Sequence, residues 1–338
     1  MVLFERTATL TRNNVGALNN WGAYLLDEGR AREAIGKFQM ALRIRPDPMP
    51  WLNIGWCYFS LNDYPRALAA MSQAISMQPR SKEMEGLLRH LNDYIAKNPR
   101  APDARKMLAM IAFAQRNYPE AVAQLQFVID LIPEDVEARI DQAAYLAVSG
   151  KDAEAIAVLQ VAVTRSPTNA LALSNLAALL AKVGRLPEAL SSHQAAITAD
   201  PKNADSRHNY ALFLARSGKV IEARQEFETV LSQAPGHLPA LRQLAWLLAT
   251  SVECRDGPRA VALANAFSPD PRKRKAMHFD LMAAALAAAG DFKAAIILAE
   301  EGLRRAQDER QFALAVAIRN RLKHYEAGKP FTEQPGQP

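Results

Sequence analysis

Six side chains that carry a carboxamide or a carboxylate recur along the chain at a regular spacing. Asn20 and Asn53 stand about 34 residues apart, and Asp141, Asn175, Asn209 and Gln243 repeat that interval. A carboxamide offers one acceptor and two donors, so each amide can bond both the C=O and the N–H of an extended peptide. A row of them would hold a backbone without reading much of its sequence. Other chemistry is hard to find. None of the six histidines stands within four residues of another, so no helix presents a paired metal site. There is no glycine-rich phosphate loop, no Gly-x-Ser-x-Gly and no Cys-x-x-Cys. The acidic pairs Glu300 with Glu301 and Asp308 with Glu309 fall on charged helix faces, where solvation explains them better than acid–base catalysis. No catalytic residue, metal or cofactor is therefore expected.

The elements that would position these amides show the same period. A small residue recurs in one helix of each repeat at Gly22, Gly55, Ala109, Ala143, Ala177, Ala211, Ala245 and Ala283. An alanine opens the core of the next helix at Ala34, Ala67, Ala121, Ala155, Ala189, Ala223, Ala260 and Ala295. Small residues let two helices approach closely. Pro46, Pro79, Pro133, Pro167, Pro201 and Pro235 then close most units, since proline cannot continue a helix. Between the helices stand Gly29, Gly150, Gly184, Gly218 and Gly290, with Asn62 in the second unit. A positive φ at a helix C-terminus would account for them.

This grammar resembles the tetratricopeptide repeat, a helix, tight turn, helix unit of 34 residues. The resemblance implies an all-α fold, a right-handed superhelical solenoid of stacked units. Residues 15–81 read as two units and 102–307 as six, the seventh with a turn lengthened at "TSVECRDG" (250–257). Residues 82–101 read as an extra helix that could kink the array, and 308–328 as a capping helix. Residues 1–14 look like part of a helix, and 329–338 like a disordered tail. His193 holds a helix-packing place and is expected to be structural.

In such repeats the sixth place of the first helix lines the inner groove, and here it carries Asn20, Asn53, Asp141, Asn175, Asn209 and Gln243. This resembles the asparagine ladder of the O-linked N-acetylglucosamine transferase repeats, carried over at Asn20, Asn53, Asn175 and Asn209. Met107 and Leu281 interrupt it. Asparagine at this place can instead bond a neighbouring helix, so both roles stay open. Trp56, Phe113 and Trp246, beside His208, Arg216 and Arg242, are further inward candidates, as aromatic anchors beside arginines suit a protein interface. For Trp56 and Trp246, plain interhelical packing is the competing reading. The lysine-and-asparagine clamp for a C-terminal carboxylate has no counterpart at Asn19/Ala23, Leu52/Trp56 or Lys106/Met110.

The net charge is +6, and from Arg255 to Pro330 fourteen Lys/Arg face nine Asp/Glu. That surplus lacks the concentrated stripe of a nucleic-acid binder. The dense run at 272–275 reads as an interhelical loop. With no run of eighteen apolar residues, no membrane insertion is expected. Cys57 and Cys254 are too far apart along a helical array to pair.

The two ends, "LFERTATLTRNNVGALNNWG" (3–22) and "RLKHYEAGKPFTE" (321–333), resemble the C-terminal repeat region of bacterial transmembrane-and-tetratricopeptide glycosyltransferase-like proteins. That likeness implies an accessory, extracytoplasmic domain of a membrane glycosyltransferase whose catalytic part is absent from these residues; otherwise the chain is expected to be cytoplasmic. The leading expectation is a non-catalytic scaffold that holds a protein or peptide segment in its groove. A self-assembling homo-oligomer is the third reading.

Overall fold

The computed structural model describes residues 14–61, 63–77, 82–268 and 274–333. These form eighteen helices and no strand, an all-α fold built of helical hairpins. By contact the chain divides into two compact units, Met1–Val158 and Leu159–Pro338, with the division inside one helix.

The first unit holds α1 (Val15–Asp27), α2 (Ala31–Ile44), α3 (Pro48–Ser60), α4 (Tyr64–Met77), α5 (Lys82–Lys97), α6 (Pro102–Ala114), α7 (Tyr118–Leu131) and α8 (Val136–Val148). Each hairpin packs through its small residues. Gly22 and Gly55 are buried, and a Cβ at either would run into the Phe38 or Met71 side chain of the facing helix. Ala34, Ala67 and Ala121 are fully buried opposite. The helix that the sequence leaves without a partner is α5. Its Leu91 is fully buried in one apolar cluster with Leu52 of α3, Met71 and Ile75 of α4, and Met107 and Ile111 of α6. The aromatic edge contact between Phe59 and Tyr94, 4.9 Å between ring centres, ties α3 to α5.

Helix α9 (Asp152–Arg165) contains the division. The second unit continues with α10 (Ala170–Lys182), α11 (Leu186–Ala199), α12 (Ala204–Arg216), α13 (Val220–Gln233), α14 (Leu238–Thr250), α15 (Gly257–Phe267), α16 (Ala276–Ala288), α17 (Phe292–Asp308) and α18 (Phe312–Glu326). Ala177, Ala211, Ala245 and Ala283, with Ala189, Ala223, Ala260 and Ala295, have no exposed surface. A core built on alanine brings the helix axes close, and the larger Leu214, Phe227, Leu244 and Leu248 fill the space beside them.

Local chemistry marks the starts and stops. Asn14, Asp135, Asn169, Asn203, Asp256 and Asp291 each accept a backbone N–H of the first helical turn, filling one of the donors a helix start leaves unpaired. Gly29, Gly150, Gly184, Gly218 and Gly290 all have φ between 76° and 87°, the left-handed conformation expected of them. Asn62 lies outside the described residues. Arg116 and Arg310 take the same turn at φ 64° and 56°, a place where glycine would be less strained.

Residues 329–333, where the sequence suggests the start of a disordered tail, run in contact with α14, α18 and the turn after α14. The proposed partial helix at the N-terminus lies almost wholly outside the described residues, as do residues 334–338. So do Arg272 and Lys273 of the basic run. Its Arg274 folds back to donate to Ser268 O at the end of α15 and to Asn265 Oδ1.

Candidate functional site

The sixth-place amides separate into two groups. Asn53 Nδ2 donates to Asn19 Oδ1 at 3.0 Å, and Asn209 Nδ2 donates to Ser174 Oγ at 3.3 Å. In both cases the first helix of one repeat is tied to the first helix of the repeat before it. Those amides already have a partner within the fold. Asn20 is exposed and Asn175 half-buried. Asp141 reaches solvent but stands among walls of protein, and this desolvation raises its carboxyl above the usual range against the pull of Lys106. Lys106 itself is paired with Asp135 at 2.6 Å.

The aromatic candidates divide in the same way. Trp56 is half-buried edge-on to Phe59, with ring centres 5.7 Å apart, in the cluster that α5 completes. Phe113 stacks on Tyr145 at 4.1 Å. His208 is buried against Phe227 and His237, and desolvation lowers its pKa to about 4. His193, buried between Tyr210 and Phe213, is lowered to about 4 for the same reason. Both are neutral core groups at ordinary pH. Arg216 is exposed at the end of α12.

Three candidates come together. Arg242 and Gln243 lie about one helical turn before Trp246 on α14, and the three share a pocket of about 230 Å³ with Met277, Asp280 and Leu281 of α16 and Leu314 and Arg321 of α18. Arg242 is half-buried and makes no ion pair among the described residues. At the edge of the pocket Arg321 donates to both carboxylate oxygens of Asp280, at 2.9 and 2.7 Å. Burial pushes the Asp280 carboxyl up, and the guanidinium opposes that shift. Arg321 also lies 5.2 Å from the centre of the Trp246 ring, a cation–π contact. The site therefore offers apolar walls, one amide, one guanidinium without a counter-ion, and a charge pair satisfied within the fold.

The sequence reading missed Asp280 and Arg321. A signal for Arg321 was present: Ala315, Ile318, Arg321 and Tyr325 recur at helical spacing and are all buried, so the arginine belongs to the packed face of α18. Nothing local singles out Asp280 in its alanine-rich helix. Among the described residues no group of three metal-ligating side chains gathers, and no helix is long and apolar enough to cross a membrane.

Two models of the tetratricopeptide repeat match the chain, one at residues 19–82, 88–126 and 106–170 and the other at 180–248. The chain belongs to the tetratricopeptide repeat family, and its repeats are those of a protein-interaction scaffold. No curated protein matches it. Among solved structures, pilF of Pseudomonas aeruginosa is 18% identical over 65% of this chain and 96% of its own, with a TM-score of 0.54. PilW, described as a widely conserved type IV pilus biogenesis factor, is 18% identical over 64% of this chain and 97% of its own, also at 0.54. YrrB, described as a tetratricopeptide protein with an unusual peptide-binding site, is 22% identical over 61% of this chain and 96% of its own, at 0.39.

Proposed function

We propose that the chain is a non-catalytic scaffold that holds an extended segment of a partner protein along the inner places of the first helices of its second unit. The anchor of that segment is the pocket between α14, α16 and α18. The observation that carries this reading is Arg242, half-buried in the pocket wall beside Trp246 and Gln243 and without an acid partner among the described residues. A guanidinium partly removed from water without a counter-ion is costly, and a carboxylate or carbonyl of a partner would offset that cost. Trp246 and Leu281 would bury an apolar side chain next to it, and Gln243 would bond the adjoining backbone.

Selection of displayed peptides on the immobilised full chain tests this reading. The recovered sequences should bind the parent, and Arg242→Ala or Trp246→Ala should weaken them at least tenfold while leaving the helical spectrum unchanged. Recovery of no peptide, or of peptides indifferent to both changes, would sink it.

A further inference from the structure

The lengthened turn of the seventh repeat builds a second feature beside the pocket. In five of the repeats a glycine, and in the third Arg116, turns the chain directly into the second helix. Here α14 ends at Thr250, and residues 251–256 run on before α15 begins. Two groups at this place are unusual. The Thr250 carbonyl belongs to the last helical turn, where no intrahelical donor is available. Arg255, at the far side of the turn, points its guanidinium at a segment 76 residues further along the chain.

That segment is Phe331–Thr332–Glu333, held as an extended peptide would be held. Glu333 N donates to Thr250 O at 3.1 Å. Arg255 Nη2 donates to Phe331 O at 3.4 Å and to Thr332 Oγ1 at 2.7 Å. The Glu333 carboxylate accepts from Trp246 Nε1 at 2.5 Å. The Phe331 ring lies 5.6 Å from the Arg321 guanidinium and meets the His324 ring edge-on at 5.6 Å. Main chain is bonded at two points, an aromatic ring is seated on a guanidinium, and a carboxylate is read by an indole N–H. Gly328, at φ 65°, turns the chain out of α18 towards this seat. Trp246 and Arg321 line both the seat and the 230 Å³ pocket, so the two adjoin.

We propose that Trp246, Thr250, Arg255 and Arg321 form a recognition site for an extended protein segment with an aromatic residue two places before a glutamate. The chain's own Phe331–Glu333 fills it in cis, and a partner segment of that chemistry enters by displacing the tail. The proposal rests on reading this end of the chain as a polypeptide-binding surface, and it adds the class of ligand and an internal competitor. A tethered tail competes at a high effective concentration, so the parent chain binds such a partner only weakly until the tail is released.

The test is fluorescence anisotropy with a labelled peptide of the chain's own sequence Lys-Pro-Phe-Thr-Glu-Gln-Pro-Gly-Gln-Pro, titrated with the full-length protein. The Phe331→Ala/Glu333→Ala chain, whose own tail no longer competes, should bind the probe at least tenfold more tightly than the parent. Replacing the probe's glutamate by glutamine, or adding Arg255→Ala to that chain, should weaken binding at least fivefold. Trp246→Phe, which keeps the ring and removes the donor, should weaken it similarly with no change in the melting curve. Equal binding by parent and variant, absence of binding by both, or indifference to Arg255→Ala would overturn the proposal. A parent that is dimeric by light scattering, with a monomeric Phe331→Ala/Glu333→Ala chain, would seat the tail on a second copy and overturn the cis arrangement. Failure of the displayed-peptide selection alongside success of this probe would count against the pocket reading alone.

Discussion

Arg321 on α18 and Asp280 on α16 meet through two parallel hydrogen bonds, and both side chains are buried. The pair clips the last helix of the chain to the repeat before it at the edge of the pocket. Removing one member of such a pair leaves an uncompensated buried charge, which costs about 3–5 kcal/mol. Arg321→Ala should destabilise the second unit by that order in urea denaturation. Arg321→Lys should recover only part of the loss, because an ammonium cannot bond both oxygens in the same plane. Replacing both residues at once, as Asp280→Leu with Arg321→Met, should cost far less than Arg321→Ala alone.

His193 and His208 give the protein an acid-sensitive core. Each has its pKa lowered by burial to about 4, against an ordinary value of 6.5. The unfolded chain therefore takes up these protons first. Their contribution to stability is intact above about pH 6.5, and it is lost as the pH falls from there towards 4. The loss is of order 3 kcal/mol for each residue. Urea midpoints measured from pH 7 to 4 should fall steadily, and His193→Leu should flatten about half of the slope.

Gly257 opens α15 where it crosses α16, and a Cβ there would meet the Ala288–Ala289 backbone. Backbone cannot move aside as a side-chain tip can. Gly257→Ala should destabilise the protein by about 1–3 kcal/mol, the usual cost of overpacking, read as a lower melting temperature. Gly36→Ala, on an open surface of α2, is the contrasting control and should be neutral or slightly stabilising.

The amides of the ladder should separate from the pocket in their effects. Asn53 and Asn209 bond the first helix of the preceding repeat, so Asn53→Ala and Asn209→Ala should each lower stability by about 1 kcal/mol, as the loss of a net hydrogen bond does. Neither should change the affinity of a bound segment by more than twofold, measured by titration calorimetry.

Features carried by one repeat were legible in the sequence, and those joining distant segments were not. The small places, the alanines opposite them and the left-handed glycines serve the closing of a single hairpin, so they recur in most repeats and can be counted. Arg116 and Arg310 occupy the same turn without glycine and escape the count, since tertiary packing imposes a conformation their type does not favour. The sixth-place residues were legible as positions, but their partners Asn19 and Ser174 depend on how neighbouring first helices align. Asp280 and Arg321 lie 41 residues apart on helices whose neighbours fix the distance between them. Glu333 reaches Trp246 across 87 residues, and Arg255 of the neighbouring turn bonds Phe331 and Thr332; the extra length of that turn was visible, though its use was not.

The most direct test of the scaffold reading is the calorimetric affinity of one display-selected peptide for four full-length chains: the parent, Arg242→Ala, Gln243→Ala and the double Asn53→Ala/Asn209→Ala. Anchoring in the pocket predicts at least a tenfold loss for Arg242→Ala, which is about 1.4 kcal/mol or more, a smaller loss for Gln243→Ala, and under twofold for the double variant. A tenfold loss in the double variant with Arg242→Ala unchanged would contradict it and return the binding to the asparagine ladder.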